Sequence, residues 1–526
     1  MNQFLDNVAE VNDVVNSFVW TKVGVWLLIA VGLLMTILTK CFQVSHFGHW
    51  IKKTIGSLFE KKVRSHTGEK ASISQFQALC TALAATVGVG NIAGVAGAIV
   101  TGGPGAVFWM WIAAFLGMMT NYSENILGIY FRRKNKQGEW SGGAMYYLQD
   151  GLGGYKGMKH VGKVLAIIFA ICAVLASFGI GNMGQVNKIV LNFTSAFDIP
   201  ALSDTVLYTS ADGSSKVTLY MLIVGIILLI LVGIVILGGL QRIANVAEKI
   251  IPFMVVMFIL GSLTVIFVNI SSIGKAFGSI FSMAFSSQAL WGGATGVALK
   301  EIITMGCKRG VFSNEAGLGS SVMVHSNSNV VEPVKQGLWG IFEVFADTIV
   351  ICTMTALVIL TSGVIDLETG VIAKGDDATL VAESFNTVFK FGDFEFGKYF
   401  IAIAILLFAF TTVLGWSHYG TKAVEYLAGS KAEIVTKIYK GIFVAMIMLG
   451  ALMTSSIAWD ISDTFNGMMM LPNLIGVMAL SPLVMKLTKN YVDRRIKGKT
   501  DVKPMLSHFP EIEAEHIKKI EETGED

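Results

Sequence analysis

Two glycines and an asparagine interrupt an apolar stretch that is otherwise long enough to enter a lipid bilayer. They lie in Gly88-Val89-Gly90-Asn91, in the middle of residues 81–100. Glycine and asparagine are poor helix formers, and lipid offers no partners for the backbone groups that a broken helix leaves unpaired. Such a break is tolerated where those groups face protein, a cavity or a ligand. The pattern therefore indicates a binding site at mid-membrane depth.

The same glycines have a simpler interpretation as a packing face, because Gly90 and Gly94 have the small-xxx-small spacing of closely packed membrane helices. A dinucleotide-binding loop is excluded. The third glycine of that fingerprint is absent at the required spacing, and no strand precedes the motif.

Two adjacent hydroxyl groups, those of Thr411 and Thr412, lie in a second apolar segment, 408–416. A threonine in a helix usually bonds back to its own backbone, which is the simpler explanation for either residue alone. Together the two hydroxyls can supply the oxygen ligands that a hard cation such as Na⁺ requires. Trp416 is four residues after Thr412, so both side chains can line one face of the helix.

A second weak helix covers residues 281–293, where serine, glutamine and glycine interrupt apolar residues. It lies five membrane spans after the first break. Two interrupted helices at corresponding places of two five-helix halves indicate a transporter with inverted repeats. Because five is odd, the two halves have opposite topology.

The composition is that of a membrane protein. Of the 526 residues, 53% are hydrophobic and 15% are charged, whereas soluble domains have about 25% charged residues. Mean hydropathy is +0.63. Hydropathy predicts eleven membrane spans, which we number from span 0 to span 10. They cover approximately 20–42, 75–100, 104–130, 161–190, 217–238, 248–270, 275–300, 337–362, 398–420, 438–457 and 464–487.

Loop charges predict how the spans are oriented. With eleven spans, the lysine- and arginine-rich loops such as 43–74 and 131–160 fall on one side, and the acidic loops 191–216 and 363–397 fall on the other. The positive-inside rule then puts the N-terminus outside the cell membrane and the C-terminus in the cytoplasm. We divide the chain into an N-terminal segment with span 0 and a basic cytosolic loop, two repeats, and a cytosolic tail. Their ranges are 1–74, 75–270, 271–487 and 488–526.

Four sequence blocks resemble a known family. The stretch Gly102–Gly117, which begins Gly-Gly-Pro-Gly, resembles the signature of the sodium:alanine (alanine or glycine:cation) symporter family. The blocks Val311–Gly319, Gly181–Gln185 and Leu414–Gly420 are similar to other motifs of that family. The resemblance implies an all-α membrane protein with a LeuT-type 5+5 inverted repeat, discontinuous helices in spans 1 and 6, and span 0 as an extra N-terminal helix.

The resemblance also implies a binding site. Backbone amides of the unwound segment in span 1 would hold the carboxylate of an amino acid, and side chains of spans 3, 6 and 8 would line its pocket. The implied substrate residues are Gly88, Val89, Gly90, Asn91, Gln185, Phe285, Thr412 and Trp416. The implied sodium ligands are the carbonyls of Ala84, Val87 and Phe408 and the hydroxyls of Thr411 and Thr412.

The sequence departs from the family pattern in span 6, where we expect a proline near Ser287 and smaller residues near Leu290 and Trp291. This departure leaves the size of the substrate open. Alanine or glycine is implied by the family, and glutamine is the alternative because Gln185 can pair with a side-chain amide. We expect a monomer in the lipid bilayer that imports its substrate with Na⁺ as the co-transported ion, with no cofactor and no nucleic-acid partner.

Two other functions are considered. Proton-coupled transport would use Glu124 or Asp347, because an ionisable residue inside a membrane span is a functional candidate. Both residues can equally have a structural role. A membrane-embedded enzyme would need paired carboxylates, a His/Cys metal set or a Ser/His pair among the spans, and the sequence has none. A primary pump is excluded because no Gly-x-x-x-x-Gly-Lys-Ser/Thr loop is present.

Overall fold

The computed structural model describes residues 2–58, 60–64, 72–209, 216–285, 299–367, 377–453 and 457–523. Long helices dominate these residues. In the first half of the chain they are Asn2–Ser17, Phe18–Gly24 and Val25–Leu38 (span 0), Gln75–Thr86 and Ala93–Gly102 (span 1), Gly105–Tyr130 (span 2), Lys159–Phe178, Gly179–Met183 and Gly184–Ala196 (span 3), Leu219–Leu237 (span 4), and Gly239–Val268 (span 5).

The second half continues the same pattern. Its long helices are Ile273–Met283, Leu299–Asn314, Pro333–Val344, Phe345–Cys352 and Thr353–Thr361 (span 7), Phe396–Ala428 (span 8), Ala432–Leu452 (span 9), and Ile457–Ala479, Ser481–Tyr491 and Val492–Ile496 (span 10). The last helix of the described residues is Pro510–Thr523.

Short elements connect these helices. The short helices are Phe42–Ser45, Phe47–Lys53, Ile55–Ser57, Lys61–Arg64, Val89–Asn91, Ala144–Tyr146, Tyr147–Gly151, Leu152–Gly154, Pro200–Ser203, Ile270–Ser272, Val322–His325, Ala378–Asn386 and Gly429–Lys431. Three antiparallel hairpins pair Arg133–Lys134 with Trp140–Ser141, Val206–Thr209 with Lys216–Thr218, and Lys390–Phe391 with Phe394–Glu395.

Six helices in the described part of the chain are long and apolar enough to cross a membrane, and a seventh is formed if the bent pair in span 10 is one span. The pair consists of 460–479 and 481–496, which meet at an angle of 59°. Interrupted helices such as span 1 do not meet this length requirement because each of their pieces is short. The second piece of span 1, Ala93–Gly102, is apolar but has only 10 residues. The count of eleven and the 5+5 repeat remain predictions.

Span 1 begins with a defined cap. The hydroxyl of Ser74 accepts a bond from the backbone amide of Gln77 at 3.1 Å, and the side chain of Gln77 accepts one from the amide of Ser74 at 3.2 Å. This capping box satisfies two amides that a helix start otherwise leaves unpaired. It defines the start of the first helix of span 1, Gln75–Thr86, which ends at the break.

Span 6 differs from its prediction. The helix Ile273–Met283 ends before the predicted weak region, most of which (286–293) lies outside the described residues. A new helix, Leu299–Asn314, packs along span 2 and contacts both the short Val89–Asn91 turn and the second half of span 1. The chain then breaks at 315–321 and continues as Val322–His325. The interruption that faces span 1 therefore lies in a segment that hydropathy assigned to a loop.

Candidate functional site

The predicted break in span 1 is confirmed. The α-helix ends at Thr86, and Val87 and Gly88 are extended, with ψ of 90° and −154°. The amide of Gly88 donates to Oδ1 of Asn91 at 2.8 Å instead of continuing the helix ladder. A short turn follows, and the helix resumes at Ala93. The break therefore exposes backbone groups on both of its sides within the protein interior.

Asn91 connects the break to two other helices. Its Nδ2 donates to Asp347 Oδ1 of span 7 at 2.6 Å. The other carboxylate oxygen of Asp347 accepts bonds from Ser313 at 2.7 Å and Thr348 at 2.8 Å. Asp347 is buried and lies in a π-helical turn, a local distortion that is frequent at functional sites. Its carboxylate thus joins span 1, span 7 and the helix Leu299–Asn314. This helix precedes the interruption at 315–321, which we call the second break.

Span 8 lies directly against the break. A Cβ atom added at Gly88 would be 2.6 Å from the hydroxyl oxygen of Thr412, so glycine is needed for this approach. The hydroxyls of Thr411 and Thr412 both donate to the carbonyl of Phe408, at 2.9 and 3.0 Å. This is the back-bonding geometry expected of threonine in a helix. It places two hydroxyl oxygens and one carbonyl oxygen within one turn of span 8. The hydroxyl of Thr412 faces span 1, and that of Thr411 lies 3.8 Å from the sulfur of Met254 in span 5.

A small cavity of about 20 Å³ lies between the two breaks and spans 3, 8 and 10. Five residues predicted for the substrate site line it, namely Gly88, Gly90, Gln185, Thr412 and Trp416. The structure adds Ala85, Thr86, Ile180, Phe312, Glu315 and Asn466. Residues from Ala85 to Asn466 therefore meet at one point, as an interrupted-helix site requires.

Phe285 does not join this cavity. Its side chain is 61% exposed, and its ring packs against Phe108 and Trp109 with centroids 5.1 and 5.8 Å apart. Phe312 occupies the position expected of Phe285, since a Cβ atom at Gly90 would be 3.1 Å from its ring. The structure therefore does not bring Phe285 together with the other predicted substrate residues, because the described interruption that faces span 1 follows the helix Leu299–Asn314.

The second break has unusual backbone geometry. Glu315 has a φ of +54°, a left-handed conformation that is uncommon for residues other than glycine, and Gly317 and Gly319 follow with φ of 92° and 74°. The carboxylate of Glu315 accepts a bond from Ser320 and interacts with the indole of Trp416. A residue other than glycine in a left-handed backbone conformation is strained, and the surrounding structure must stabilise it. Such strained residues are concentrated at functional sites. The glycines of the 311–319 motif were the sequence signal for it.

Trp416 is packed on span 3. A Cβ atom at Gly181 would be 2.4 Å from both Cβ and Cγ of Trp416, so the indole lies directly on the glycine backbone. Gly181 belongs to a π-helical turn, Gly179–Met183, which also brings Ile180 to the cavity. Trp416 is buried and its ring contacts Tyr419 at a centroid distance of 5.4 Å. The indole therefore forms a fixed wall of the cavity.

Glu124 lies away from the cavity. One of its carboxylate oxygens accepts a bond from Asn473 of span 10, and the same amide donates to the carbonyl of Gly317 at 2.8 Å. The arrangement links spans 2 and 10 to the second break. A nearby buried carboxylate, Glu343, accepts bonds from His325 and Asn121, each at 3.0 Å. These contacts hold both carboxylates in fixed positions between helices.

The described residues contain no group of three or more His, Cys, Asp or Glu side chains that could hold a metal ion. A sodium site would therefore depend on carbonyl and hydroxyl oxygens, which Ala84, Val87, Phe408, Thr411 and Thr412 can supply. All five residues are buried. Sodium is a hard cation that takes such neutral oxygen ligands, so the donor set fits the ion.

Comparison with known proteins gives consistent results. The model of the sodium:alanine symporter family matches residues 5–505. The sodium/alanine symporter AgcS of Methanococcus maripaludis is 40% identical over 491 residues, which cover 93% of this chain and 98% of AgcS. The probable sodium/glutamine symporter GlnT of Bacillus subtilis is 35% identical over 516 residues, covering 98% of this chain and 96% of GlnT.

Two further similarities were found. The putative sodium/proton-dependent alanine carrier protein YrbD of Bacillus subtilis is 33% identical over 494 residues, covering 92% of each chain. Among solved structures, MhsT in complex with L-phenylalanine overlaps with a TM-score of 0.49 at 13% identity, covering 80% of this chain and 99% of MhsT.

Proposed function

The chain belongs to the sodium:alanine symporter family, and from this premise we propose that it imports a small neutral amino acid together with Na⁺. It is a membrane transporter that couples an amino acid to a cation, and not an enzyme. The observation that carries the proposal is the cavity between the two helix breaks, where backbone groups of span 1, hydroxyls of span 8 and the wall of Trp416 meet.

The proposed substrate is alanine or glycine. The cavity has a volume of only about 20 Å³, and Phe312 and Trp416 border it with rigid rings. A pocket discriminates against larger side chains when its wall is fixed, at about 1–3 kcal/mol for each methylene that does not fit. Glutamine stays as the alternative, because the relative GlnT is named for it and Gln185 lies at the cavity.

The carboxylate of the substrate would be held by span 1. The amide of Gly88 is engaged by Asn91, so we assign the carboxylate to the amides of Val89 and Gly90, with Asn91 fixing the turn. The second half of span 1 starts at Ala93, and the positive end of its dipole points toward this position. Anions are stabilised at helix N-termini in this way.

The proposed sodium site lies on the other side of Gly88. The carbonyls of Ala84, Val87 and Phe408 and the hydroxyls of Thr411 and Thr412 would coordinate the ion. Bound Na⁺ would organise the same unwound backbone that receives the carboxylate. Each ligand then raises the affinity for the other by the same factor, which is the basis of coupled transport.

Transport would proceed by alternating access. Spans 1, 2, 6 and 7 would rock against spans 3, 4, 5, 8, 9 and 10, with both ligands bound between the two groups. We propose a multi-pass protein of the cell membrane with its N-terminus outside and its C-terminus in the cytoplasm.

Proton coupling is the competing mechanism, favoured by the relative named sodium/proton-dependent and by the buried carboxylate of Asp347 close to the cavity. The three hydrogen bonds that Asp347 accepts argue for a structural role instead, because they hold its carboxylate in a fixed position between helices.

Uptake by the purified protein in proteoliposomes tests the proposal. An inward Na⁺ gradient should drive accumulation of radiolabelled alanine or glycine, and serine and glutamine should compete less well. The membrane potential is clamped with K⁺ and valinomycin, and a pH gradient in sodium-free medium is the control for proton coupling. Absence of sodium dependence for all four amino acids would contradict the proposed mechanism.

A further inference from the structure

A second pocket, with a volume of about 240 Å³, is lined mainly by cations. Its walls are formed by Lys53, Lys335, Arg495 and Tyr491, and none of these four residues lines the cavity between the helix breaks. They belong to the short helix Phe47–Lys53 after span 0, the start of span 7 and the end of span 10. A single water molecule needs roughly 10–15 Å³, so the pocket has room for a much larger polar group.

The helix Phe47–Lys53 is held against span 7 by its tryptophan. Trp50 is buried, its indole donates to the carbonyl of Gln43 at 2.9 Å, and its ring lies 5.8 Å from that of Phe345 in span 7. Lys53 is three residues after Trp50 and therefore lies on the same side of the helix. The packing of the tryptophan thus directs a lysine to the edge of the pocket.

Tyr491 gives the pocket an uncharged hydrogen-bonding group in a fixed position. The residue is buried, and its hydroxyl lies 3.0 Å from Nε2 of His49. The two rings meet edge to face, with centroids 5.8 Å apart. Because His49 is on the helix that carries Lys53, this contact also joins that helix to the end of span 10.

Positive charge exceeds negative charge around this pocket. The buried carboxylate of Glu332 pairs with Arg494 at 2.6 Å, and the charges of Lys335 and Arg495 also act on it. Lys53 adds a further cation, so four cations of these elements stand against one carboxylate.

The acidic residue of the last turn of span 10 does not offset this excess. Asp493 pairs with Lys497 at 3.1 Å and with Lys499 at 3.5 Å. Cations that are crowded in this way repel one another unless an anion lies between them. Phosphate is an anion suited to such a set, because arginine binds it with two parallel hydrogen bonds and lysine binds it as a point charge.

Exposed apolar side chains border the pocket. Phe47, at the start of the helix that carries Lys53, is 51% exposed, and Ile496, which follows Arg495, is 38% exposed. The positive-inside rule predicts that this end of spans 0, 7 and 10 is cytoplasmic. Anionic headgroups of the cytoplasmic leaflet attract basic segments at that depth, and basic pockets between membrane helices bind them. The pocket therefore has cationic walls and an apolar border, as a site for a lipid headgroup requires.

We propose that this pocket binds a phosphate group, and that its source is an anionic phospholipid of the cytoplasmic leaflet and not a soluble phosphate compound. Arg495 would bind the phosphate oxygens through its planar guanidinium group, Lys53 and Lys335 would supply point charges, and Tyr491 would supply a hydroxyl. The site goes beyond the proposed function and shares no lining residue with the cavity, so that its binding can be measured independently of transport.

The test compares the wild type with Lys53→Glu/Arg495→Glu, which reverses two exposed charges of the pocket. The full-length protein in a neutral detergent is titrated with phosphatidylglycerol, and native mass spectrometry measures the fraction that retains the lipid. We expect the wild type to retain phosphatidylglycerol in preference to phosphatidylcholine, whose headgroup has no net charge. In the variant the affinity for phosphatidylglycerol should fall at least about tenfold, because two attractive charges become repulsive.

Lys156→Glu/Lys159→Glu is the matched control. Both lysines are exposed in the loop 131–160, which is predicted to be on the same side of the membrane, and the net charge changes by the same amount. This variant should keep the affinity of the wild type for phosphatidylglycerol. Thermal unfolding reports whether each variant is folded. If the pocket variant is not, Lys53→Glu alone gives the same readout, with an expected fall of about threefold or more.

Competition distinguishes the two sources of phosphate. Glycerol 3-phosphate and inorganic phosphate are added to the complex of the wild type with phosphatidylglycerol. Retention of the lipid in their presence supports a phospholipid site. Displacement of the lipid, together with binding of glycerol 3-phosphate that the pocket variant loses, would keep the phosphate site and overturn the lipid as its source.

Two outcomes would overturn the phosphate site itself. One is an unchanged affinity for phosphatidylglycerol in the folded pocket variant. The other is an equal loss of affinity in Lys156→Glu/Lys159→Glu, because the lipid would then be held by the general charge of this face of the protein. Neither outcome concerns the proposed function, since amino-acid transport is not measured in this experiment.

Discussion

At the scale of single residues, the hydroxyl of Thr412 has two possible partners. It donates to the carbonyl of Phe408 at 3.0 Å, and it is the atom that a Cβ added at Gly88 would approach most closely. Rotation about one bond would point its oxygen at an ion held by span 1. The two roles make different predictions, because back-bonding contributes little to helix stability whereas an ion ligand is needed for transport.

We predict that Thr412→Ala raises the Na⁺ concentration for half-maximal uptake at least about tenfold, since loss of one oxygen contact to a charge is worth about 1.5–3 kcal/mol. Thr412→Ser should restore most of the sodium affinity. Uptake is measured in proteoliposomes as a function of external Na⁺, with expression checked by size-exclusion chromatography.

Thr264→Ala is the matched control for this change. Thr264 also bonds back to its own helix, donating to the carbonyl of Leu260 at 2.9 Å, but it is exposed on span 5. Its variant should keep the sodium affinity of the wild type. Normal sodium activation in Thr412→Ala would remove Thr412 from the ion site.

The indole of Trp416 sets the size of the substrate in our proposal. We predict that Trp416→Ala lowers the ratio of the KM values for glutamine and alanine by about tenfold, because a fixed wall of the cavity is removed. The measurement is competition by glutamine, serine and glycine against labelled alanine. Trp26→Ala, which changes a tryptophan that is 44% exposed on span 0, should leave the profile unchanged. An unchanged profile in Trp416→Ala would place the size filter elsewhere.

Five of the residues that line the cavity could be predicted from the sequence because each carries a local signal. Gly88 and Gly90 weaken a membrane helix, Thr412 and Trp416 share a face, and Gln185 is an amide within an apolar span. Glu315 and Asn466 could not, because their relevance depends on which helices meet. A single glutamate after a charged helix is ordinarily a surface residue, and only the fold brings it to the cavity.

At the scale of helices, the contact between spans 1 and 8 depends on glycine at one position. We predict that Gly88→Ala abolishes sodium-dependent uptake, because its Cβ atom would lie 2.6 Å from the hydroxyl oxygen of Thr412, well inside van der Waals distance. Sodium-dependent protection against heat, measured by thermal shift, should disappear together with transport.

Gly97→Ala is the control within the same span. A Cβ atom there meets no other atom within 4 Å, and alanine is a better helix former than glycine. This variant should transport normally and be slightly more stable. Transport by Gly88→Ala at the wild-type rate would show that the two spans can separate without loss of the site.

The second break illustrates what hydropathy does not detect. The helix Leu299–Asn314 contains Lys300, Glu301, Lys308 and Arg309, so its average hydropathy is low. Lys308 is compensated in the fold, where it pairs with Asp463 at 2.8 Å and lies over the ring of Trp20 at 5.3 Å. Pairing across helices is invisible in a sequence window. For this reason we predicted the break in the more apolar residues before this helix, and not after it.

At the scale of the whole molecule, the C-terminal segment after span 10 packs on the rest of the protein. The helix Pro510–Thr523 lies on the hairpin after span 2, where Lys134 pairs with Glu515 at 2.7 Å and His516 packs on Trp140. A buried pair between Arg494 and Glu332, at 2.6 Å, ties span 10 to the start of span 7. The sequence left open whether this tail is a helix or disordered, because its alternating Glu and Lys residues fit both.

The orientation of the whole chain can be tested with its own cysteines. Of the five, Cys41 is exposed and the other four are buried. Cys41 follows span 0, at the end that we predict to be cytosolic. We therefore predict that a membrane-impermeant maleimide labels Cys41 in inside-out vesicles and leaves it unlabelled in right-side-out vesicles until they are permeabilised, because only accessible thiols react.

A variant with the opposite expected pattern completes this test. Tyr208 is 62% exposed in the hairpin between spans 3 and 4, which the positive-inside rule places outside the cell. In a Cys41→Ser background, Tyr208→Cys should be labelled in right-side-out vesicles without permeabilisation. Spans 1, 2 and 3 separate the two positions, and three crossings put them on opposite faces of the membrane. Labelling of both positions from one side would mean that an even number of spans separates them, which would contradict the predicted span count. The pair of cysteines thus checks the span count of the first half as well as its direction.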